Sequence, residues 1–231
     1  MDYDRVIPAV FCSRPNRFIA LCQVGETIHR AHVPNTGRCA ELLVPGAQVL
    51  LHPAASPSRS TAFTLVSVYK QGRLINLDSA APNRLVAEAL ASGKLLFKGE
   101  VAQLIKPEAS FGRTRFDFYL ETETFQGYLE VKGCTLEENG VCFFPDAPTL
   151  RGLRHLQELT ALAAGEVAAG VVFVVQMEQA DHFAPNRRTQ PEFADALIAA
   201  QRAGVSVEAF TCQVRPQRVL LDRPLPVRLK P

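Results

Sequence analysis

Alternating apolar and polar positions dominate the first third of the chain. Residues 17–24, 27–33, 48–52, 62–70 and 73–77 carry this pattern, and turn residues such as Gly25, Pro45 and Gly72 separate them. A period of two is typical of strands with one buried face. The pattern predicts five short strands within residues 1–80, with a short helical piece at 38–43. Five strands in so little chain favour a small barrel of the OB type.

Near residue 80 the pattern changes to helical periodicity, which places a domain boundary there. Asn83 is predicted to cap a helix over residues 84–92. Further helices are predicted from residue 150, with a buried leucine face at 150, 153, 156, 159 and 162, and over residues 191–202, where TQPE at 189–192 resembles a capping box. Strands are predicted at 99–105, 115–120, 127–131 and 205–214, and the proline-rich end as an extended strap. The β-branched run at residues 170–176 is typical of a strand covered on both faces. Residues 81–231 are therefore predicted to form a mixed sheet flanked by helices, so that the chain as a whole is α/β.

The predicted hairpin of residues 115–120 and 127–131 carries the candidate chemistry. Asp117 lies on one strand, Glu130 and Lys132 lie on the next, and alternation places the last two on one face. If the polar faces coincide, clustered carboxylates need a cation to offset their repulsion, and a divalent metal would supply it. A hairpin with one solvated, charged face is the alternative.

Composition places the chain among ordinary globular proteins. Its formal net charge of +2 is too small to imply nucleic acid by itself, although residues 1–80 hold eight Lys and Arg against five Asp and Glu. Six cysteines without paired spacing indicate reduced, buried thiols of a cytoplasmic protein. No apolar run is long enough to span a membrane.

Basic residues of the predicted barrel suggest a phosphate-binding groove. Arg14, Arg17, Arg30 and Arg38 would line it. The alternative is that these arginines form the solvated face of a small barrel.

Two resemblances extend this interpretation. A helix bearing Glu88, a meander with Asp117 and the Glu130-Val131-Lys132 run, and then a helix and a buried strand resemble the PD-(D/E)XK nuclease core. More of the chain is similar to the sugar fermentation stimulation protein (SfsA) family, through RPNRFIA at 14–20, AHVPNTGR at 31–38, EVKG at 130–133 and FPDAPTLRG at 144–152. That resemblance implies a DNA-binding protein associated with bacterial sugar metabolism, with an OB-like domain before a nuclease-like one. The chain departs from the family pattern at Cys39 and in FGRTR at 111–115, away from the proposed ligands.

The nuclease resemblance implies roles for particular residues. Mg²⁺ or Mn²⁺ would be held by Asp117, Glu130, the Val131 carbonyl oxygen and Glu88. Lys132 would stabilise charge on the phosphate, and Gln176 would hold the nucleophile or a phosphate.

A second set of residues is predicted to position DNA phosphates at the rim of the site: Arg113, Arg151, Arg154, His155 and Arg187. For His155 the alternative is a solvated histidine on a helix surface.

Three hypotheses remain open on the sequence alone: a metal-dependent DNA nuclease, a non-catalytic DNA-binding regulator, and a sugar-binding module that uses the barrel. The sequence also leaves open whether the chain forms a homo-oligomer.

Overall fold

A closed barrel of five strands forms the N-terminal part of the protein. The computed structural model describes residues 1–35, 37–54, 59–165 and 167–229. The barrel strands are β1 (Ile7–Asn16), β2 (Ile19–Val24), β3 (Thr27–His32), β4 (Gln48–Pro53) and β5 (Phe63–Lys70). They follow the order β3-β2-β1-β4-β5, and the ring closes through parallel pairing of Ala31 with Phe63 and His32 with Thr64. The predicted five-stranded OB-like barrel is confirmed.

The identity of one barrel strand differs from the prediction. Strand β1 was missed, and the segment predicted as the fifth strand is β6 (Arg73–Asn76), which pairs with β5 outside the closed ring. Pro8 and Pro15 lie within β1, and its pairing with β2 is irregular at two places. These features remove the regular alternation from which a strand is predicted. Residues 38–43 form turns, not the helical piece predicted there.

A six-stranded mixed sheet forms the second part, in the order β15-β14-β12-β9-β8-β7. Its strands are β7 (Leu104–Phe111), β8 (Thr114–Glu121), β9 (Gln126–Cys134), β12 (Ala168–Val175), β14 (Ser206–Arg215) and β15 (Arg218–Pro224). A small sheet beside it contains β10 (Leu136–Glu138), β11 (Val141–Phe144) and β13 (His182–Pro185).

The predicted hairpin and buried strand are both present. Strands β8 and β9 are antiparallel, with Phe118 opposite Leu129, and every residue of β12 is buried between parallel β9 and β14. The strand predicted at residues 99–105 instead begins at Leu104. Part of the proline-rich end forms β15, an edge strand of the sheet, where an extended strap was predicted. The residues after it run beside β13, with backbone hydrogen bonds of Pro226 and Arg228 to Phe183.

Helices cover both faces of the large sheet: α1 (Ala81–Ala91) on one side, and α2 (Leu150–Ala164) and α3 (Pro191–Arg202) on the other. Strand β12 connects the two cores by alternation, since Val172 and Val174 pack with α1 while Val171 and Phe173 pack with α2 and α3. The mixed sheet flanked by helices is confirmed.

Two predicted helix starts need correction. Helix α1 begins at Ala81, so Asn83 lies in its first turn and is not its cap. Helix α3 begins after Gln190 without a side-chain capping bond, where the sequence predicted a capping box.

Within the described ranges, no helix has both the length and the apolar character that a membrane crossing requires.

Candidate functional site

Asp117 lies where the side-chain alternation of β8 breaks. Phe116 packs in the core on the α2 side, whereas Phe118 packs in the core on the α1 side. Asp117 Oδ2 accepts a hydrogen bond from the Val131 backbone N–H at 2.7 Å, and Oδ1 accepts one from Asn83 Nδ2 at 2.7 Å. The carboxylate is therefore held between the first turn of α1 and the middle of β9.

Glu130 on β9 is the neighbouring acid, and it is 3% exposed. Its Oε1 accepts hydrogen bonds from Lys132 Nζ and from His155 Nδ1. Its Oε2 is buried and has no hydrogen-bond partner among the described residues. An ionised oxygen buried without a partner is unfavourable, so this atom is a candidate ligand position.

The environment shifts the pKa of the two carboxyl groups in opposite directions. Burial, and then the nearby charge of Glu130, raise the pKa of Asp117 above its ordinary value. Burial also acts to raise the pKa of Glu130, but the hydrogen bond from His155 and the charge and hydrogen bond of Lys132 outweigh it, and the pKa is lowered. Asp117 bonds to the backbone N–H of Val131, the residue that follows Glu130, so the two acids lie on adjacent positions of the hairpin.

Gln176 does not have the free amide that its predicted role requires. Its Nε2 donates to Asn76 Oδ1 at 2.9 Å and to the Asp78 carbonyl at 3.0 Å, so it links the large sheet to the end of β6. A side chain at Gly133 would bring a Cβ within 2.6 Å of Gln176 Oε1, which explains the glycine after Lys132. The predicted hold on a nucleophile is replaced by this structural link.

Glu88, predicted as a third acidic ligand, lies elsewhere. Its carboxylate accepts a hydrogen bond from the N-terminal ammonium of Met1 at 2.8 Å, and Asn83 is the α1 residue that reaches Asp117. The described part of the chain contains no group of three or more His, Cys, Asp or Glu side chains arranged to hold a metal. The predicted ligand set is thereby reduced to Asp117, Glu130 and the Val131 carbonyl.

His155 is buried, where the sequence predicted a residue at the phosphate-binding rim. It is 2% exposed and packs against Phe116 with ring centroids 5.9 Å apart. The predicted leucine face of α2 repeats every three residues and drifts around a helix of 3.6 residues per turn, so Leu150 is 81% exposed. The buried face contains Gly152, His155, Leu156, Leu159 and Leu162. Spacings of three and four from Gly152 would have identified the histidine.

Arg14 supports the backbone. Its guanidinium donates to the carbonyl oxygens of Arg17, Asn35, Gly37 and Arg38. These bonds leave few of its N–H donors free to contact a phosphate.

Direct contacts do not join the other residues predicted to bind phosphate into one cluster. All of them are exposed arginines: Arg17, Arg30, Arg38, Arg113, Arg151, Arg154 and Arg187. Arg17 lies over the Phe18 ring, and Arg187 forms an ion pair with Asp195 at 2.8 Å. Arg151 alone among them contacts the site, because its Nε donates to His155 Nε2 at 3.4 Å.

The family models and the similar proteins that match this chain all indicate the same family. Residues 12–77 match the SfsA N-terminal OB domain, and residues 80–218 match the sugar fermentation stimulation protein RE domain. A sugar fermentation stimulation protein homolog of Ruminiclostridium cellulolyticum is 44% identical over 229 residues, covering 99% of this chain and 100% of that protein. One of Desulfitobacterium hafniense strain Y51 is 46% identical over 214 residues, covering 93% and 92%.

A solved structure agrees over nearly the whole molecule. Pyrococcus furiosus SfsA, determined in complex with Ca²⁺, superposes with a TM-score of 0.90 at 28% identity and covers 99% of this chain and 98% of that one. With both domains matched in order and full-length relatives above two-fifths identity, the chain belongs to the sugar fermentation stimulation protein family.

Proposed function

We propose that this protein binds DNA and hydrolyses phosphodiester bonds at a divalent-cation site formed by Asp117 and Glu130. The observation that carries the proposal is the buried, unpartnered Oε2 of Glu130 beside a second carboxylate. A cation bound there would compensate both the desolvated oxygen and the repulsion between the acids.

The residues present fit Mg²⁺ or Mn²⁺. Mg²⁺ takes oxygen ligands, and it commonly uses one or two carboxylates together with waters and substrate phosphate oxygens. Asp117 and Glu130 would be those carboxylates, and the Val131 peptide is fixed beside them by its N–H bond to Asp117. The Ca²⁺ complex of the Pyrococcus furiosus relative supports a site for a hard, oxygen-binding cation in this fold. When bound, the metal would activate a water and offset charge on the scissile phosphate.

The surrounding side chains would orient the reacting groups. Asn83 holds Asp117 in place, and Lys132 keeps its ammonium against Glu130 with 15% of its side chain exposed. A partly exposed ammonium beside the carboxylates can approach a phosphate and stabilise negative charge that grows during the reaction. Exposed arginines, among them Arg38, Arg113 and Arg154, would position the DNA backbone.

Cleavage assays test the proposal directly. Duplex, single-stranded and branched DNA should be cut in Mg²⁺ or Mn²⁺. The variants Asp117→Asn, Glu130→Gln and Lys132→Ala should each lose at least about 100-fold in rate, as expected when a stabilising electrostatic contact is removed. Glu123→Gln, a change at an exposed residue, is the matched control and should cleave normally. The absence of cleavage of every substrate in both metals would reject catalysis.

DNA binding without catalysis is the second candidate, and one contact favours it. Lys132 and His155 both already occupy Oε1 of Glu130, so the ammonium is engaged without a substrate. If the protein binds DNA without cleaving it, its DNA affinity should fall steeply as the salt concentration rises. The affinity should also survive both Asp117→Asn and Lys132→Ala, because phosphate neutralisation does not depend on the metal site. Binding isotherms at two salt concentrations separate the candidates when combined with the cleavage assay.

A further inference from the structure

Three side chains in contact, Arg151, His155 and Glu130, connect the protein surface to the carboxylate of the candidate site. The exposed Arg151 donates from Nε to His155 Nε2 at 3.4 Å, and Nδ1 of the same ring contacts Glu130 Oε1. Arg151 and His155 lie four residues apart on α2, on successive turns of one helix.

These contacts specify the tautomer of the neutral imidazole ring. A guanidinium has donors only, so Nε2 of His155 must offer a lone pair to Arg151. The proton of the neutral ring therefore lies on Nδ1, which donates to Glu130. With the other tautomer, two N–H groups would face each other at Nε2 and two acceptors would face each other at Nδ1.

The arrangement distinguishes the two oxygens of Glu130. Oε1 receives His155 and Lys132, whereas Oε2 has no donor within the described part of the chain. Rotation of the carboxylate would break both bonds inside a site where the acid is 3% exposed and the ring is 2% exposed. Bonds from a second layer of residues commonly fix the orientation of metal ligands in this way.

We propose that His155 and Arg151 are positioning residues, which lock Glu130 so that Oε2 alone is presented to a divalent cation. This inference rests on the proposed cation site but not on DNA cleavage. Arg151 has a dual position, since its Nε fixes the imidazole while the rest of its guanidinium lies at the surface, where a substrate phosphate could reach it.

Mn²⁺ affinity measured by calorimetry on the folded full chain, without DNA, tests the positioning role. His155→Leu removes both ring contacts and should weaken Mn²⁺ binding about 10- to 100-fold, the usual effect of losing such an outer partner. His155→Asn keeps a donor near the position of Nδ1 and should restore most of the affinity. A purely structural histidine would give no such rescue, and unfolding curves in cation-free buffer would check that every variant is folded.

An arginine on α2 and one on α3 provide a matched pair. Arg151→Ala removes the bond to His155 and should weaken Mn²⁺ binding several-fold. Arg202→Ala removes an exposed arginine from the last turn of α3, away from the site, and it should leave Mn²⁺ binding unchanged. Equal effects of the two changes would indicate a general loss of surface charge and would overturn the proposal.

The tautomer provides a readout that needs neither cation nor DNA. Nitrogen NMR of the cation-free protein should show His155 protonated at Nδ1 and bare at Nε2. The opposite tautomer, unchanged Mn²⁺ affinity in His155→Leu, or no Mn²⁺ binding by the wild-type chain would each reject the positioning role. Mn²⁺ binding with the expected variant effects but without DNA cleavage would reject only the nuclease function.

Discussion

At the scale of single residues, the two carboxyl groups of the site have opposite pKa shifts. The pKa of Glu130 is lowered because His155 and Lys132 outweigh its burial, and that of Asp117 is raised by burial and by Glu130. A carboxyl group with a lowered pKa in the folded state stabilises the fold above its ordinary pKa, and this stabilisation is lost as the pH falls through the folded-state value. A carboxyl group whose pKa is raised in the folded state, such as Asp117, instead destabilises the fold once the pH is high enough to ionise it.

The variant Glu130→Gln tests the sign of the first shift. At neutral pH we expect a lower free energy of unfolding than for the wild type, because the favourable charge is absent. Below the ordinary glutamate pKa of 4.5 the difference should shrink, since the wild-type carboxylate takes up its proton there. Urea unfolding at several pH values between neutral and acidic measures this difference.

The exposed Glu123→Gln serves as the control for the same series and should follow the wild type throughout. A constant difference between Glu130→Gln and the wild type at every pH would contradict the assigned shift.

The cysteines illustrate burial at the same scale. All six are free; Cys12 is partly exposed, and the other five are buried. Burial raises the pKa of Cys22 and Cys212 to about 12 each, so these thiols are protonated and unreactive at neutral pH. The burial of these five thiols agrees with the buried cysteines predicted from the sequence.

At the scale of elements, α2 places His155 against β9, so the start of this helix matters for the site. Thr149 is its N-cap, and its side chain accepts a hydrogen bond from the Gly152 backbone N–H at 2.9 Å. The bond satisfies one of the amide donors that every helix leaves free at its first turn.

Removal of this cap should destabilise the protein measurably. Thr149→Ala is expected to lower the free energy of unfolding by about 1 kcal/mol, whereas Thr149→Ser keeps the capping oxygen and should lose much less. Chemical unfolding followed by circular dichroism gives both values. Equal losses in the two variants would assign the effect to the threonine methyl group and not to the cap.

Elements also show which parts of the fold a sequence can predict. The paired β8 and β9 and the buried β12 followed from alternation and from a β-branched run, because each depends on local pattern. Strand β1 was missed because its prolines and irregular pairing hide the period of two.

The candidate site was predictable in part for the same reason. Asp117, Glu130 and Lys132 lie close along one hairpin, where local spacing determines their proximity. The contacts of His155 and Asn83 depend on how two distant helices pack against the sheet, and no local spacing specifies that packing. Glu88 was assigned to the site because it is an acid on the correct helix, but the rotation of α1 brings Asn83 there instead.

At the scale of the whole molecule, a buried ion pair joins the barrel region to the small sheet. Glu137 on β10 is 3% exposed and contacts Arg73 on β6 at 2.8 Å, with Lys70 nearby at 4.0 Å. Its other oxygen accepts from the Gly140 backbone N–H at 2.7 Å. Removal of one partner from such a pair leaves the other desolvated and unpaired.

Adjacent glutamates allow a matched test of this contact. Glu137→Ala should lower the free energy of unfolding by about 3 kcal/mol, the loss typical of a broken buried pair. Glu138→Ala removes the exposed partner of Arg188 and should cost less than about 1 kcal/mol. Urea unfolding measures the free energy of unfolding of both variants. Similar losses would show that the buried contact of Glu137 stabilises the fold no more than the exposed contact of Glu138.

The closure of the barrel has a further consequence for how the molecule fluctuates. Strands β3 and β5 are joined by only two residue pairs, whereas the other neighbours in the ring share longer ladders. Because fewer hydrogen bonds hold this seam, we expect it to open locally more easily than the longer ladders. Transient parting of this seam would expose the packed interior of the barrel to solvent while the longer ladders stay paired.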